Sequence, residues 1–221
     1  VYGTQFGLPF TNTPFAVGSM FIIDPLYTLP LLAGVLWYLF SRRDKGYRAN
    51  AAGILLSSAY LVWSFAAQQY VTSVAILNAQ QQLRAPQQIL VTPAPLNTIL
   101  WRIVVMTEEG YAEGFYSLFD SSDQIEFTQI AQDTRLKQRY ADVKAVQQLA
   151  WFSRGFYTLA QQGDALLLTD LRMGQEGSYA FQFAIDPSDH AVVTQLPMRR
   201  DASRILPWLW QRMLGAAVPP P

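Results

Sequence analysis

Residues 49–73 read ANAAGILLSSAYLVWSFAAQQYVTS, 25 positions without a charged side chain. A helix rises about 1.5 Å per residue, so about 20 apolar residues cross a hydrocarbon core of about 30 Å. This stretch is long enough. It also lacks charge on every face, whereas a surface helix of a soluble protein keeps a polar side for water. Gly53, Ser57, Ser58 and Ala59 sit close together in it, and small side chains let membrane helices approach one another closely. Past Phe65 the polarity rises through Gln68, Gln69, Asn78 and Gln80 to Gln82. The helix is therefore expected to leave the bilayer near Ser73 and continue as a stalk.

A second uncharged stretch precedes it. Pro25–Ser41 is 17 residues rich in Leu, Trp, Tyr and Phe, and it lengthens backward to Ser19. Pro25 suits a helix start and Pro30 a kink. Between the two stretches lies Arg42–Arg48, RRDKGYR, with four positive charges and one negative. Short loops rich in Lys and Arg stay on the cytoplasmic side. Both helices would then lead away from the cytoplasm, and the chain after Arg84 would be extracytoplasmic. The competing reading is a buried hairpin of a soluble protein, against which the lack of charge on all faces argues.

From Arg84 onward the chain carries 26 of its 32 charged residues. That step divides it into a membrane region, 1–85, with spans at about 25–41 and 49–73, and an extramembrane domain, 86–221. Pro86, Pro93 and Pro95 break the stalk. Thr98–Thr107 is apolar and β-branched, and it can pair with Tyr111–Phe119 across Glu108-Glu109-Gly110 as a hairpin. Ile125–Ile130 reads as a third strand. Leu136, Tyr140, Val143, Val146 and Leu149 recur at helical spacing and predict one helix over Thr134–Phe152. Strands follow at Gly155–Ala160, Ala165–Leu171 and Tyr179–Ile185, with a tight turn at Gln161–Asp164, and Ser203–Leu214 is a closing helix. Short turns between neighbouring strands imply antiparallel pairing. The fold class is thus transmembrane helices followed by an α+β domain with an antiparallel sheet and helices on one face. Trp101, Phe115, Leu149 and Leu167 lie on the apolar phases of their segments and are expected to be buried.

The chain is sparing with chemistry. Formal net charge is zero over 221 residues, which gives no electrostatic reason for a nucleic-acid partner. Cysteine is absent and histidine occurs once, at His190. A zinc-protease, phosphate-loop, nucleophile-elbow or dinucleotide motif is missing. His190 falls in the turn-like Asp186–His190 and reads as a solvated turn residue. Asp24 breaks a local rule: it is the sole charge in residues 1–41, and a carboxylate beside an apolar segment is costly unless it is paired or ligated. It suits an N-cap for the helix starting at Pro25, and a cap at the mouth of a site satisfies both descriptions. Arg102, Glu113, Arg154, Asp170 and Arg172 stand in or beside strand patterns, where they either bind a polar ligand or pair across strands.

Val1–Gln5 (VYGTQ), Pro9-Phe10 and Phe21–Tyr27 (FIIDPLY) resemble the middle of the bacterial membrane-bound metal-dependent hydrolase family. Leu100–Val104 (LWRIV), Glu113–Leu118 (EGFYSL), Trp151–Ser153 (WFS) and Asp170–Gly174 (DLRMG) are similar to the C-terminal extension of one subgroup. In that family the counterpart of Tyr2-Gly3-Thr4 follows a helix with a His and an Asp, and histidine-rich motifs lie further upstream. The chain starts at Val1 without a basic stretch ahead of an apolar core, so it is expected to lack its native start. The resemblance implies a hydrolase of the bacterial inner membrane whose divalent metal, such as zinc, activates water. It also makes Asp24 a metal ligand or the residue that orients one. Zinc takes three or more protein ligands, so this stretch, offering Asp24 at most, is expected to hold no stable metal by itself. The alternative is a non-enzymatic membrane-anchored sensor or assembly protein whose C-terminal domain binds a partner protein.

Overall fold

The computed structural model describes residues 3–41, 43–186, 192–197 and 202–221. The histidine turn and Arg42 therefore lie outside the described residues, as do Val1 and Tyr2. The chain opens with an irregular segment bridged between Thr4 and Phe15. Helices α1 (Pro25–Phe40) and α2 (Arg43–Gln82) follow as a hairpin. A meander of β1 (Gln88–Pro93), β2 (Leu100–Thr107), β3 (Gly110–Ser117) and β4 (Thr128–Ala131) forms the first antiparallel sheet, in that order. Helices α3 (Thr134–Arg139) and α4 (Lys144–Phe152) lead to a second meander of β5 (Tyr157–Gln162), β6 (Ala165–Asp170), β7 (Phe181–Ile185) and β8 (Val193–Gln195). Helix α5 (Ala202–Met213) closes the chain.

One stripe of side chains organises α2 along its 40 residues. Gly53, Ser57, Ser64, Gln68, Val71, Ala75 and Ala79 are all buried, at the three- and four-residue spacing of one helix face. In the first half that face meets α1. A Cβ on Gly53 would lie 2.5 Å from the Pro30 carbonyl oxygen, and one on Gly34 would lie 3.0 Å from Asn50 Cα. Only glycine permits this approach, and the Ser57 hydroxyl then donates to the Tyr27 carbonyl at 2.8 Å. Ser58 and Ala59, small as they are, face outward.

In the second half the same face becomes the core of the first sheet. Ala67, Val71, Val74, Ala75, Ala79 and Leu83 pack against Trp101, Ile103, Val105, Ala112 and Tyr116. The expected stalk is therefore a core helix, and the division at 85/86 runs through a single hydrophobic core. Its polar residues, the reason for reading a stalk, are hydrogen-bonding posts. Gln68 donates to the carbonyls of Val17 and Val91, both at 3.2 Å. Asn78 donates to the Asp123 carbonyl at 2.7 Å and accepts from the Ile125 N–H at 3.0 Å. Gln82 donates to the Ile125 carbonyl at 2.9 Å.

Other elements differ from the pattern for local reasons. Arg43–Arg48 is the first turn and a half of α2 rather than a loop. The single helix over Thr134–Phe152 is two, because Tyr140 ends α3 and Val143 is extended (φ −72°, ψ 117°) before α4. Both pieces bury their apolar sides in one cluster with Leu159, Leu166, Leu168 and Ile185, which keeps the apolar spacing continuous across the break. β1 escapes the pattern because prolines surround it; it sits at a sheet edge with Pro93 as its last residue, where a missing N–H is tolerated. The expected strand at Ile125–Ile130 shrinks to Thr128–Ala131, since Ile125 plugs the core beneath Gly114. Strands beyond α4 build a second sheet because two helices separate them from β4. Trp101 is fully buried as expected, while Phe115 and Leu149 are half-buried. In β6 the phase is the reverse of the expectation: Leu166 and Leu168 are buried and Leu167 is half-buried, on the other face.

Residues 86–221 produced alone would lose the cover of Trp101, Ile103 and Val105. We expect no cooperative thermal transition by circular dichroism for that piece and a cooperative one for residues 64–221. Cooperative melting of the shorter piece would show that the sheet stands without α2.

Candidate functional site

Asp24 is 1% exposed. Its backbone is extended (φ −117°, ψ 113°) and its Oδ1 accepts from the Leu26 N–H at 2.9 Å, so it caps α1. Its other oxygen, Oδ2, accepts from the Tyr60 hydroxyl of α2 at 2.8 Å. Thr98 Oγ1 donates to that hydroxyl at 3.0 Å, and Trp63 Nε1 donates to Thr98 Oγ1 at 3.3 Å. The Trp101 indole adds a bond to the Thr98 carbonyl at 3.0 Å. A directed chain of donors thus runs from Trp63 of α2 through Thr98, in the loop before β2, and Tyr60 to one carboxylate at the head of α1. Each link supplies the polar partner that a group buried among apolar side chains needs.

The described residues do not by themselves fit a zinc ion. Nowhere do three or more His, Cys, Asp or Glu side chains of the described residues converge, and around Asp24 the polar partners are an amide and a phenol. The sequence gives one signal for the cap, Asp before Pro. It gives none for Tyr60 or Thr98, which lie 36 and 74 positions away.

Four of the five charged residues singled out in the soluble half form two buried ion pairs. β2 and β3 turn Arg102, Val104, Met106, Tyr111, Glu113 and Phe115 to the sheet face opposite α2. Arg102 Nε donates to Glu113 Oε1 across the strands. Arg102 Nη1 donates to the Leu171 carbonyl at 2.7 Å, and Glu113 Oε2 accepts from the Glu176 N–H at 3.0 Å. Asp170 and Arg172 form a second buried pair through Nη2 and Oδ2 at 2.7 Å. The Arg172 guanidinium also lies 4.9 Å above the Phe152 ring. The Arg102–Glu113 pair staples the first sheet to the 171–179 segment that links β6 to β7, and the Asp170–Arg172 pair closes the turn at the end of β6. Arg154 stands apart, in the left-handed turn after α4 (φ 54°), and donates to the Pro14 carbonyl.

Beside the Arg102–Glu113 pair opens a groove of about 490 Å³ between the two sheets. Tyr111, Glu176 and Tyr179 line one side of it, and Thr158, Thr169 and Gln182 line the other. The Tyr111 hydroxyl donates to Glu176 Oε2 and lies 3.0 Å from the Tyr179 hydroxyl. Burial pushes both phenols well above their ordinary range, so both stay protonated at any physiological pH. Among the described residues the ionisable lining is Asp133, Glu176 and these tyrosines, without Lys, Arg or His. Such a groove suits a neutral polar or a cationic ligand. Sequence reasoning missed it because its lining comes from segments as far apart as Tyr111 and Gln182.

A third polar node fastens α2 to the β3–β4 connection. Asp123 Oδ1 accepts from the Tyr116 hydroxyl at 2.7 Å and the Tyr70 hydroxyl at 2.9 Å. Those bonds, the Tyr116 one first, hold its carboxyl below the ordinary carboxylate range. Compared with known protein families, curated proteins and solved structures, the chain matches none.

Two outcomes follow from these nodes. Arg102→Met leaves Glu113 buried without its cation and should cost about 3–5 kcal/mol in denaturant unfolding; adding Glu113→Leu should recover most of that, because a well-packed apolar pair replaces a buried ion pair at little net cost. Asp123 has a lowered folded pKa, so its contribution is present above the ordinary carboxylate range and is lost as pH falls through the folded value. Tyr116→Phe should raise the Asp123 pKa toward the ordinary value, read by NMR titration, and shrink that low-pH loss of stability.

Proposed function

We propose that this chain anchors a membrane-bound metal-dependent hydrolase of the bacterial inner membrane and carries its extracytoplasmic α+β domain. The observation that carries the anchoring is the outward face of the hairpin. Leu29, Leu32, Trp37 and Leu39 of α1 are exposed, as are Ile54, Leu55, Leu56 and Val62 of α2. Water would meet a continuous apolar surface here, far larger than the patch a soluble monomer tolerates; lipid removes that cost. Among the described residues one helix, Asp44–Gln82, is long and apolar enough to cross a membrane, and α1 is shorter at 16 residues. Asp44 to Trp63 covers about 30 Å of helix, the thickness of the hydrocarbon core. The basic residues of 43–48 then mark the cytoplasmic end, and the domain lies on the other side.

The hydrolase part rests on the family resemblance. In this reading the metal is held mainly by residues ahead of Val1 and supplies a water of lowered pKa when bound. Asp24 is a ligand of that site or fixes the orientation of one. Its place at the head of α1, locked to Tyr60, gives it a defined direction. The groove between the sheets favours a second reading, a membrane-anchored sensor or assembly protein that recognises a partner through Tyr111, Glu176 and Tyr179.

Two measurements on the full-length protein separate these. Reporter fusions at Arg48 and Arg84 should report opposite sides of the membrane; the same side for both would end the hairpin topology. Asp24→Asn keeps a capping oxygen. If Asp24 serves the metal site, metal affinity should fall about 10- to 100-fold with the fold intact. Unchanged metal content would leave Asp24 as a cap, and a wild-type full-length protein that holds no metal would favour the sensor reading.

A further inference from the structure

The closing helix has two apolar sides. Its inner side packs Trp208 and Leu209 against Ala94 and Leu100, at the end of the first sheet where β2 begins. The Trp208 ring meets Phe115 edge-on at 4.9 Å. The Arg212 guanidinium is also turned inward, to Asp120 (2.5 and 2.7 Å) and the Phe115 carbonyl (2.8 Å). Its outer side carries Leu206, Trp210 and Leu214, spaced four apart and 54%, 63% and 53% exposed. Phe119, 58% exposed, lies next to the end of α5: a Cβ on Gly215 would lie 2.7 Å from the Phe119 carbonyl oxygen. A helix that is apolar on both sides needs cover on both.

The level of α5 in the molecule identifies the cover. Ala94, which α5 packs against, begins the 94–99 loop, and Thr98 of that loop holds Tyr60 and Trp63 of α2. Trp63 lies about 30 Å along the helix from Asp44, at the outer boundary of the bilayer in the reading above. α5 therefore sits at the sheet end nearest that boundary, on the sheet face opposite α2. Leu96, in the same loop, adopts φ 67° and is exposed. Tryptophan is the residue type that collects at the headgroup level.

We propose that α5 is an interfacial helix which lays Leu206, Trp210 and Leu214 on the same bilayer that the hairpin crosses. The inference rests on the membrane reading of the hairpin and extends it to a second contact. Two attachments, the span and the interfacial helix, fix the tilt of the first sheet over the lipid, and with it the height of the groove. Exposed leucine and tryptophan at four-residue spacing, with Arg212 turned inward and Arg204 left exposed in the first turn, match the lipid face of an amphipathic interfacial helix.

The absence of cysteine makes the test direct. Single variants Leu206→Cys, Trp210→Cys, Leu36→Cys and Arg135→Cys carry spin labels in the protein reconstituted into phosphatidylethanolamine–phosphatidylglycerol vesicles. Residue 36 lies on the outer face of α1, and Arg135 is an exposed side chain of α3. Labels at 206 and 210 should collide more with oxygen than with a water-soluble nickel chelate, as the label at 36 does, while the label at 135 shows the reverse. Labels at 206 and 210 that behave like the one at 135, with 36 in lipid, would overturn the inference and leave the hairpin reading standing. Shielding of 206 and 210 from both reagents would also overturn it, in favour of a protein partner or a second copy. An aqueous label at 36 would remove the membrane reading and this inference together.

Discussion

Helix α2 has one buried face and two partners for it, and the rest of the structure depends on that sharing. A 40-residue helix is about 60 Å long, more than any bilayer core requires. Its first half meets α1 through Gly53 and Ser57, where small side chains let two backbones touch. Its second half meets β1, β2 and β3 through Ala67, Val71, Ala75 and Ala79, where burial of apolar area is the driving force. Because the buried positions keep one phase, the hairpin and the sheet are set at a fixed rotation about a single axis. A register change in either half would turn the other half's apolar face to the wrong neighbour.

Polar groups then mark the joints. Asp24, Tyr60 and Thr98 join α1, α2 and the loop before β2; Asp123, Tyr70 and Tyr116 join α2 to the β3–β4 connection. Arg102 with Glu113 joins the first sheet to the 171–179 segment, and Asp170 with Arg172 closes the turn that leaves β6. Arg212 and Asp120 seat α5. Apolar contact alone is indifferent to small slides, whereas a buried donor without its acceptor costs 1–3 kcal/mol, approximately. These nodes add little net stability but exclude neighbouring arrangements, and the groove inherits its shape from two of them. Glu176 and Tyr179 are carried by the same segment that the Arg102–Glu113 pair fixes, and Tyr111 bonds both from β3.

Much of the element order is legible in the residues. Charge-free Pro25–Ser41 and Ala49–Ser73 gave helices because lipid-compatible and helix-compatible sequence coincide there, and Asp24 before Pro25 is a local capping signal. Hairpins at Glu108-Glu109 and Gly163-Asp164 follow from turn residues between β-branched runs. What misled the pattern was context. Gln68, Asn78 and Gln82 look solvated by type, yet each bonds a backbone group of the domain. The apolar spacing over Leu136–Leu149 looks like one helix, yet two short helices satisfy it by facing one core. Leu166, Leu167 and Leu168 give no phase of their own, since three consecutive leucines read the same from either face.

By itself the sequence determined where the apolar and charged halves lie, which stretches are helical, that the later strands pair antiparallel, and that Asp24 is the polar anomaly of the first 41 residues. Those properties depend on neighbours within a few positions, where spacing and side-chain type carry the physics. Only the tertiary structure decided that α2 serves as both hairpin arm and sheet core, that the Arg102–Glu113 pair binds the 171–179 segment, that a groove opens beside them, and that α5 keeps an uncovered apolar side. Each of these is a contact between residues tens of positions apart, chosen by the packing of whole faces, and no local pattern records which faces will meet.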